Sequence, residues 1–312
     1  MVPQAVSVWI IDLDQPLAVV DALRAHLDEA EVLAAAARTD DTIRNRYVVA
    51  HGALREILAA RLGATPEAVV ISRQCARCGD PNHGKPEIPG SALSFSLSHS
   101  QSVAVVAVVT GARVGVDIEV LRPRARLDAL ARRVLSPEEH AVWLDHPPTA
   151  RLRAFLERWT AKEAFLKATG TGIAVPLQDV PPEPEGWAVM RFASPPETVA
   201  SIAIDAYATV HVESWIPPDV DTSRSPATDS SRSIDKFRST AVGSVLAAGM
   251  LGLRDIFEPE RDDKVAIVQD FTASPPFKDP IVLRLDPDHP EDSIVMVRPW
   301  LRNPPPKPPV EP

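Results

Sequence analysis

The chain has 312 residues, of which 45% are hydrophobic and 24% charged, a composition typical of a globular protein with a buried core. Its formal net charge of −9 argues against a general nucleic-acid-binding protein and against binding to an anionic membrane surface. Its only cysteines, Cys75 and Cys78, exclude a disulfide framework. The N-terminal residues lack the basic segment of a secretory signal, so we expect a cytoplasmic protein.

The first third of the chain has the hydrophobic patterns of alternating strands and helices. In chain order they predict a strand over Val6–Leu13, helices over Leu17–Arg38 and Asp41–Leu62, and strands over Leu93–Leu97 and Val103–Val109. Gly63 is a C-cap for the second helix. The short connection 110–113 predicts that the chain returns as a hairpin into a strand over Val114–Val120.

The residues after 111 repeat this set of elements. Ser136 and Glu139 form a capping box that begins a helix to about Leu144. A longer helix is predicted over Ala150–Thr169 and ends at Gly170, followed by strands over Trp187–Phe192 and Val199–Trp215. We therefore expect an α+β fold of two similar halves, residues 1–110 and 111–216, each a small antiparallel sheet packed on helices.

The composition changes after residue 216. Residues 217–233 are rich in Pro, Ser and Asp, as in a linker. A helical segment over about Ile234–Phe257 and strand-like runs predict a small separate module over 234–303, whose role the sequence does not indicate. Its runs lie at Val265–Val268, Ile281–Leu285 and Ile294–Val297. The tail 304–312 is Pro-rich, which favours either disorder or a polyproline II conformation.

The strand Val114–Val120 carries two acidic residues on one face. Residues two apart in a strand point the same way, so Asp117 and Glu119 lie side by side with Cα atoms about 7 Å apart. Gly115, on the same face, would leave room beside them for a ligand. One divalent cation fits between such carboxylates; the alternative is a polar strand face in water.

The apolar stripe of the helix Ala150–Thr169 ends in charged residues. Continuing its spacing brings Glu163 and Lys167 onto the face that should meet the core. A buried charge needs a partner, although a surface Glu–Lys pair is the alternative. Because Mg²⁺ takes few carboxylates together with phosphate oxygens, we predict a magnesium site with lysines on the phosphates. The ligands would be Asp117, Glu119 and Glu163, and the lysines Lys162 and Lys167.

Two upstream segments suit the same phosphorylated ligand. Lys85 precedes Pro86 on a stiffened loop, and Ser98 with His99 presents a hydroxyl and an imidazole together. A third group, Cys75, Cys78 and His83, offers three zinc ligands without the second pair that completes a structural site. Thiols with no role, or thiols that oxidise reversibly, are the alternatives there.

In their order and spacing these residues resemble the 4′-phosphopantetheinyl transferases, specifically the larger pseudo-dimeric type that activates polyketide and nonribosomal peptide synthases. The resemblance covers roughly residues 5–215 and departs from the family at Glu31–Ala37, where relatives often carry basic residues. The matching segments are Arg46, Ala53–Arg55, Gly84–Pro86, Phe95–Ser100, Gly115–Glu119, Trp159–Ala164, Lys167 and Gly170–Gly172.

The resemblance implies transfer of the 4′-phosphopantetheine arm from coenzyme A to a serine of an apo acyl or peptidyl carrier protein, with release of adenosine 3′,5′-bisphosphate. It also implies a Mg²⁺ cofactor on the pyrophosphate, Glu163 as general base with Lys167 as the second catalytic residue, and a monomer. The implied magnesium ligands are Asp117, Glu119 and Glu163. The implied coenzyme A contacts are Arg46, Lys85, Pro86, Ser98, His99, Asp117, Lys162 and Lys167. A Mg²⁺-dependent pyrophosphate hydrolase and a non-catalytic module that binds coenzyme A or a carrier protein are the alternatives.

Overall fold

The computed structural model describes residues 4–73, 84–124, 126–172 and 175–220, together with the backbone of 281–284 and 294–297. The chain divides into two compact units, Met1–Leu253 and Arg254–Pro312. The first contains, in chain order, β1 (Gln4–Asp12), α1 (Leu17–Arg24), α2 (Glu29–Ala36), α3 (Asp41–Leu62), β2 (Leu93–Ser100), β3 (Val103–Thr110), β4 (Val114–Val120), α4 (Leu127–Val134), α5 (Pro137–Asp145), α6 (Pro148–Thr169), β5 (Ala188–Arg191), β6 (Thr198–Ile204) and β7 (Ala208–Ser214). None of the described helices is long and apolar enough to cross a membrane.

Two small sheets form the first unit. One has the strand order β2-β3-β1-β7 and the other the order β4-β6-β5. All pairs are antiparallel except β1 with β7. The predicted α+β fold is confirmed, although β7, which the sequence analysis placed with the second half, completes the sheet of the first.

The predicted hairpin between β3 and β4 is wrong. β3 already has β1 and β2 as its hydrogen-bonded neighbours, so β4 pairs with β6 in the other sheet. Gly111, at φ 77°, allows the turn in which the chain changes sheets. Adjacent strands therefore contribute to two layers, and β4 is left with one edge that faces β2.

The helix predicted over Leu17–Arg38 is two helices. Asp28 begins α2 with a capping box that Glu31 completes, so the chain restarts a helix where the apolar periodicity continues. The prediction for α3 is confirmed, including its end at Gly63, which lies in the left-handed region, and the side chain of Asp40 caps its first turn. The capping box of α5 and the end of α6 at Gly170 are also confirmed. Nothing in the sequence analysis predicted α4.

A buried ion network fixes α2 against α3. Arg55 is 1% exposed and donates from Nε to Glu31 Oε2 at 2.6 Å. Its Nη1 reaches the carbonyl of Val69 at 2.9 Å, and His51 meets Glu31 Oε1 at 3.1 Å. Burial alone would raise the pKa of Glu31, but the hydrogen bonds and charges of His51 and Arg55 outweigh it and lower the pKa to about 2.

Both faces of β3 are buried, so the first sheet lies between the helices α1–α3 and the second sheet. Ala104, Val106 and Val108 pack against the helices α1–α3, whereas Val105, Ala107 and Val109 pack against the second sheet. β4 directs Val114, Val116 and Ile118 into that same interface between the sheets. Its other face, with the two carboxylates, therefore points to α6.

The second unit is described only at two strands. β8 (Ile281–Arg284) and β9 (Ile294–Val297) pair antiparallel, which confirms the two strands predicted there. The predicted linker beyond residue 220, the helix after 234, the strand at Val265–Val268 and the tail 304–312 lie outside the described residues.

Candidate active site

The two carboxylates of β4 are each held by one oxygen. Asp117 Oδ1 accepts hydrogen bonds from Ser98 Oγ at 2.7 Å and from Lys167 Nζ at 2.6 Å. Glu119 Oε2 accepts from Ser100 Oγ at 3.0 Å and from Arg124 Nη2 at 3.0 Å. Both acidic residues are 4% exposed. Each carboxylate thus has one hydroxyl and one cation on the same oxygen.

The serines belong to a ladder that joins β2 to the open edge of β4. Four alternating hydroxyls of β2 accept the backbone N–H groups of alternating β4 residues, at 3.3, 3.1, 3.4 and 3.2 Å. The pairs are Ser94 with Val114, Ser96 with Val116, Ser98 with Ile118, and Ser100 with Val120. The sequence analysis named only Ser98; the serine at every second position of Ser94–Ser100 was the signal that would have found the rest.

Glu163 and Lys167 approach the carboxylates of β4 from α6, four residues apart on one side of the helix. Burial raises the pKa of Glu163 to about 7, with a further increase from the charges of Asp117 and Glu119 that the charge of Lys167 only partly offsets. Glu163 Oε1 and Asp117 Oδ2 are buried and have no hydrogen-bond partner among the described residues. The site therefore combines a proton acceptor poised near neutral pH with two carboxylate oxygens that still need a donor or a cation.

The fit of these residues to Mg²⁺ is partial. Among the residues that the structure describes, no group of three or more His, Cys, Asp or Glu side chains is arranged to hold a metal ion. Lys167 already binds one oxygen of Asp117, and Arg124 one oxygen of Glu119. Mg²⁺ often needs only one or two carboxylates because phosphate oxygens and water complete its shell. The two unpartnered oxygens of Asp117 and Glu163 fit that chemistry.

Gly115 does not leave room for a ligand, contrary to the sequence interpretation. A Cβ atom there would lie 2.1 Å from the carbonyl oxygen of Ala164 and 2.4 Å from the backbone nitrogen of Ala168. The space beside Gly115 is filled by α6 itself. Glycine is needed because the backbone of β4 packs directly on the helix that carries Glu163 and Lys167.

Lys162 does not join the carboxylates of β4, so its predicted phosphate contact is wrong for this structure. It is 3% exposed and pairs with Glu139 Oε2 at 2.5 Å. Its ammonium also donates to the carbonyls of Val134 at 3.1 Å and Leu177 at 2.9 Å. One residue before Glu163, the helix turns the side chain by about 100° toward α4 and α5. It ties those helices to α6.

Lys85 lies at the junction of β4 and α6. Its ammonium donates to the carbonyls of Val114 at 3.1 Å and Ala168 at 2.9 Å. Burial lowers the pKa of Lys85 to about 8. The half-buried Pro86 follows it in the chain. In this structure the lysine joins the start of the strand to the last turn of the helix, where a cation is favourable.

The remaining predicted residues are dispersed. Arg46 donates to Asp14 with two hydrogen bonds, at 2.7 and 3.0 Å, and this contact lowers the pKa of Asp14. His99 and Ser98 are not presented together, because neighbouring residues of β2 point to opposite faces and Ser98 faces β4. The three potential zinc ligands, Cys75, Cys78 and His83, lie outside the described residues.

Comparison with known proteins adds a match to one family model and to three relatives. A family model of the 4′-phosphopantetheinyl transferase superfamily matches residues 113–215. The chain is 33% identical over 216 residues to the 4′-phosphopantetheinyl transferase HetI of Nostoc sp., which covers 65% of this chain and 88% of that protein. It is 29% identical over 186 residues to a putative 4′-phosphopantetheinyl transferase, slr0495, of Synechocystis sp.; the match covers 59% of this chain and 72% of that protein. It is 38% identical over 116 residues to the 4′-phosphopantetheinyl transferase AcpT of Escherichia coli; the match covers 37% of this chain and 55% of that protein.

Proposed function

Since the chain belongs to the 4′-phosphopantetheinyl transferase superfamily and is therefore a transferase, we propose that it moves the 4′-phosphopantetheine arm of coenzyme A onto a serine of an apo acyl or peptidyl carrier protein. Adenosine 3′,5′-bisphosphate is the other product. The observation that carries the proposal is Glu163, whose pKa is raised to about 7 beside Asp117 and Lys167.

Glu163 acts as the general base. The serine hydroxyl of the carrier attacks the phosphorus next to the pantetheine, and its proton passes to a Glu163 oxygen. The new phosphorus–oxygen bond replaces the bond to adenosine 3′,5′-bisphosphate, which leaves. A base with a pKa near the working pH is both deprotonated often enough and basic enough to take that proton, an effect worth about 10² to 10⁴ in rate.

Lys167 and the carboxylates bind the charged part of coenzyme A. Lys167, held by Asp117 Oδ1 and Ser98 Oγ, brings a positive charge to the pyrophosphate oxygens. Mg²⁺ would be held by Asp117, Glu119 and Glu163 and would supply Lewis-acid stabilisation of the pyrophosphate. Glu163 has two oxygens, so one can bind the cation while the other faces the serine. The pKa of about 7 belongs to the metal-free site, and a bound cation would lower it and keep Glu163 deprotonated. Asp117 Oδ2 and Glu163 Oε1 have no hydrogen-bond partner among the described residues, which supports their role as ligands of such a cation.

Intact-protein mass spectrometry tests the proposal. An apo carrier protein is incubated with the enzyme, coenzyme A and Mg²⁺, beside a sample with EDTA and a carrier whose acceptor serine is replaced by alanine. We expect a mass increase of one phosphopantetheine arm in the first sample and in neither control. Coenzyme A cleavage without a carrier would instead identify a pyrophosphate hydrolase. Coenzyme A binding with no mass increase on any carrier would identify a binding module.

The proposal includes a monomer, because both halves of the expected pseudo-dimer lie in one chain, and it assigns this monomer to the cytoplasm. Sedimentation of the protein during turnover, with coenzyme A and Mg²⁺ present, tests this part separately. A dimer that alone carries the activity would contradict it.

A further inference from the structure

Glu119 is held by two residues that no part of the sequence analysis assigned. Ser100 Oγ and Arg124 Nη2 each donate to Oε2 at 3.0 Å, and Oε1 takes part in neither contact. With Oε2 bound from two directions, rotation of the carboxylate would break both hydrogen bonds. The pair of donors therefore fixes the orientation of the Glu119 carboxylate.

Ser100 is itself fixed by β4. Its hydroxyl accepts the N–H of Val120 at 3.2 Å, and the residue is 2% exposed. A hydroxyl has one proton, and the N–H of Val120 occupies an acceptor position. The proton is therefore directed to Glu119. The last rung of the serine ladder sets the orientation of a site carboxylate as well as the position of a strand.

Arg124 completes the arrangement from the chain that follows β4. Its side chain is 11% exposed and meets a Glu119 side chain that is 6% exposed, so the ion pair is nearly buried. A guanidinium holds a carboxylate in a defined geometry that a flexible ammonium does not reproduce. Pro123, directly before Arg124, restricts the backbone from which the guanidinium is presented.

Asp117, two residues earlier in β4, is also held through one of its oxygens. Ser98 and Lys167 bind its Oδ1, and Oδ2 is the oxygen left without a partner among the described residues. We propose that Ser100 and Arg124 are positioning residues that anchor Oε2 of Glu119 and so orient its carboxylate toward the ligand that Asp117 and Glu163 also bind. This inference rests on the proposed function, which places the cation and the pyrophosphate there.

A positioning role and a simple charge-balancing role predict opposite changes in cation affinity. If Arg124 only neutralised Glu119, its removal would make the site more negative, and a divalent cation would bind more tightly. If Arg124 orients Glu119, its removal frees the carboxylate to rotate, and the cation binds more weakly. Loss of a group that orients a metal ligand typically costs about 10- to 100-fold in affinity.

Titration of the enzyme with Mn²⁺ in the presence of coenzyme A, followed by electron paramagnetic resonance, separates the two roles. We expect the Kd for Mn²⁺ to rise about 10-fold or more in Arg124→Gln and in Ser100→Ala, with partial recovery in Arg124→Lys. Arg132→Gln is the charge-matched control, because Arg132 is an exposed arginine of α4. Its Kd for Mn²⁺ should stay at the wild-type value.

Unchanged or tighter Mn²⁺ binding in Arg124→Gln would overturn the inference, as would a wild-type protein that binds no Mn²⁺ with coenzyme A. Circular dichroism of each variant confirms that it is folded, and Arg124→Lys keeps the test valid if Ser100→Ala does not fold. The titration needs no carrier protein. Weaker Mn²⁺ binding in a protein that transfers no arm would refute the proposed function alone, whereas transfer with unchanged Mn²⁺ binding would refute only the positioning role.

Discussion

A methyl group at position 115 has no space between β4 and α6. The Cβ atom of Gly115→Ala would lie 2.1 Å from the carbonyl oxygen of Ala164 and 2.4 Å from the nitrogen of Ala168. Both are backbone atoms, so no side chain can rotate to relieve the contact. The backbone of Gly115 is not in the left-handed region, and the cost is therefore one of space and not of conformation.

To reach ordinary van der Waals contact, the helix and the strand must separate by somewhat more than about 1 Å, and overpacking of this kind typically costs about 1–3 kcal/mol. We expect the upper end of that range, reduced by the smaller chain entropy of unfolded alanine, for a net loss of about 2 kcal/mol. The melting temperature should fall by roughly 4–8 °C, at about 2–4 °C per kcal/mol for a protein of this size.

The same separation moves Asp117 away from Glu163 and Lys167. A displacement of about 1 Å can cost roughly 10²-fold in rate, so transfer should fall well beyond the loss of folded protein. Gly52→Ala is the matched control. Its Cβ would meet Leu23 Cβ at 2.7 Å, between α1 and α3. Calorimetry and the mass-spectrometric transfer assay should show both variants destabilised and only Gly115→Ala inactive. A Gly115→Ala enzyme with wild-type melting temperature and rate would refute this reasoning.

Three further predictions follow from buried charges. Lys162→Met leaves Glu139 buried without its cation and should lose about 3–5 kcal/mol of unfolding free energy. Isothermal titration calorimetry should show an unchanged Kd for coenzyme A. Weaker coenzyme A binding by a variant of wild-type stability would instead show that Lys162 contacts the ligand. The pKa of Glu31 is about 2 in the folded protein, so the stability present above its unfolded pKa is lost as the pH falls from about 4.5 toward 2. Urea unfolding at several pH values should show a smaller decrease in unfolding free energy for Glu31→Gln than for the wild type. An equal decrease in the wild type and the variant would contradict this prediction. The pKa of Lys85 is about 8 in the folded protein and 10.5 in the unfolded chain. Between these two pH values the unfolded chain holds a proton that the folded protein has lost, so the free energy of unfolding should rise with pH. Lys85→Met should lack this increase in the same experiment, and a variant that retains it would exclude Lys85 as the cause.

Local signals in the sequence were sufficient for most elements of the first unit. The glycines at 63 and 170 mark the ends of α3 and α6, because capping is decided within a few residues of the chain. Strand pairing is not local. β3 and β4 are neighbours in sequence, but the partners that separate them, β1 and β6, lie about a hundred residues away in opposite directions.

In the candidate site, the residues whose direction follows from the strand or helix period were predictable, and the others were not. Asp117, Glu163 and Lys167 come together as expected, since strand and helix periods determine which face each residue occupies. The role of Gly115 was not predictable, because a glycine that admits a ligand and one that admits a helix look alike in sequence. Arg124 also escaped prediction, since it lies after the strand, where no period determines its direction.

The central claim is that Glu163 makes this chain a transferase. Its most direct test is a single-turnover time course, by intact mass, of arm transfer to an apo carrier protein by the wild-type enzyme and by Glu163→Gln. The amide keeps the size of the side chain but cannot accept the serine proton, so transfer should slow by at least about 10²-fold. The variant should still bind coenzyme A and melt like the wild type. A Glu163→Gln enzyme that transfers the arm at nearly the wild-type rate would contradict the account.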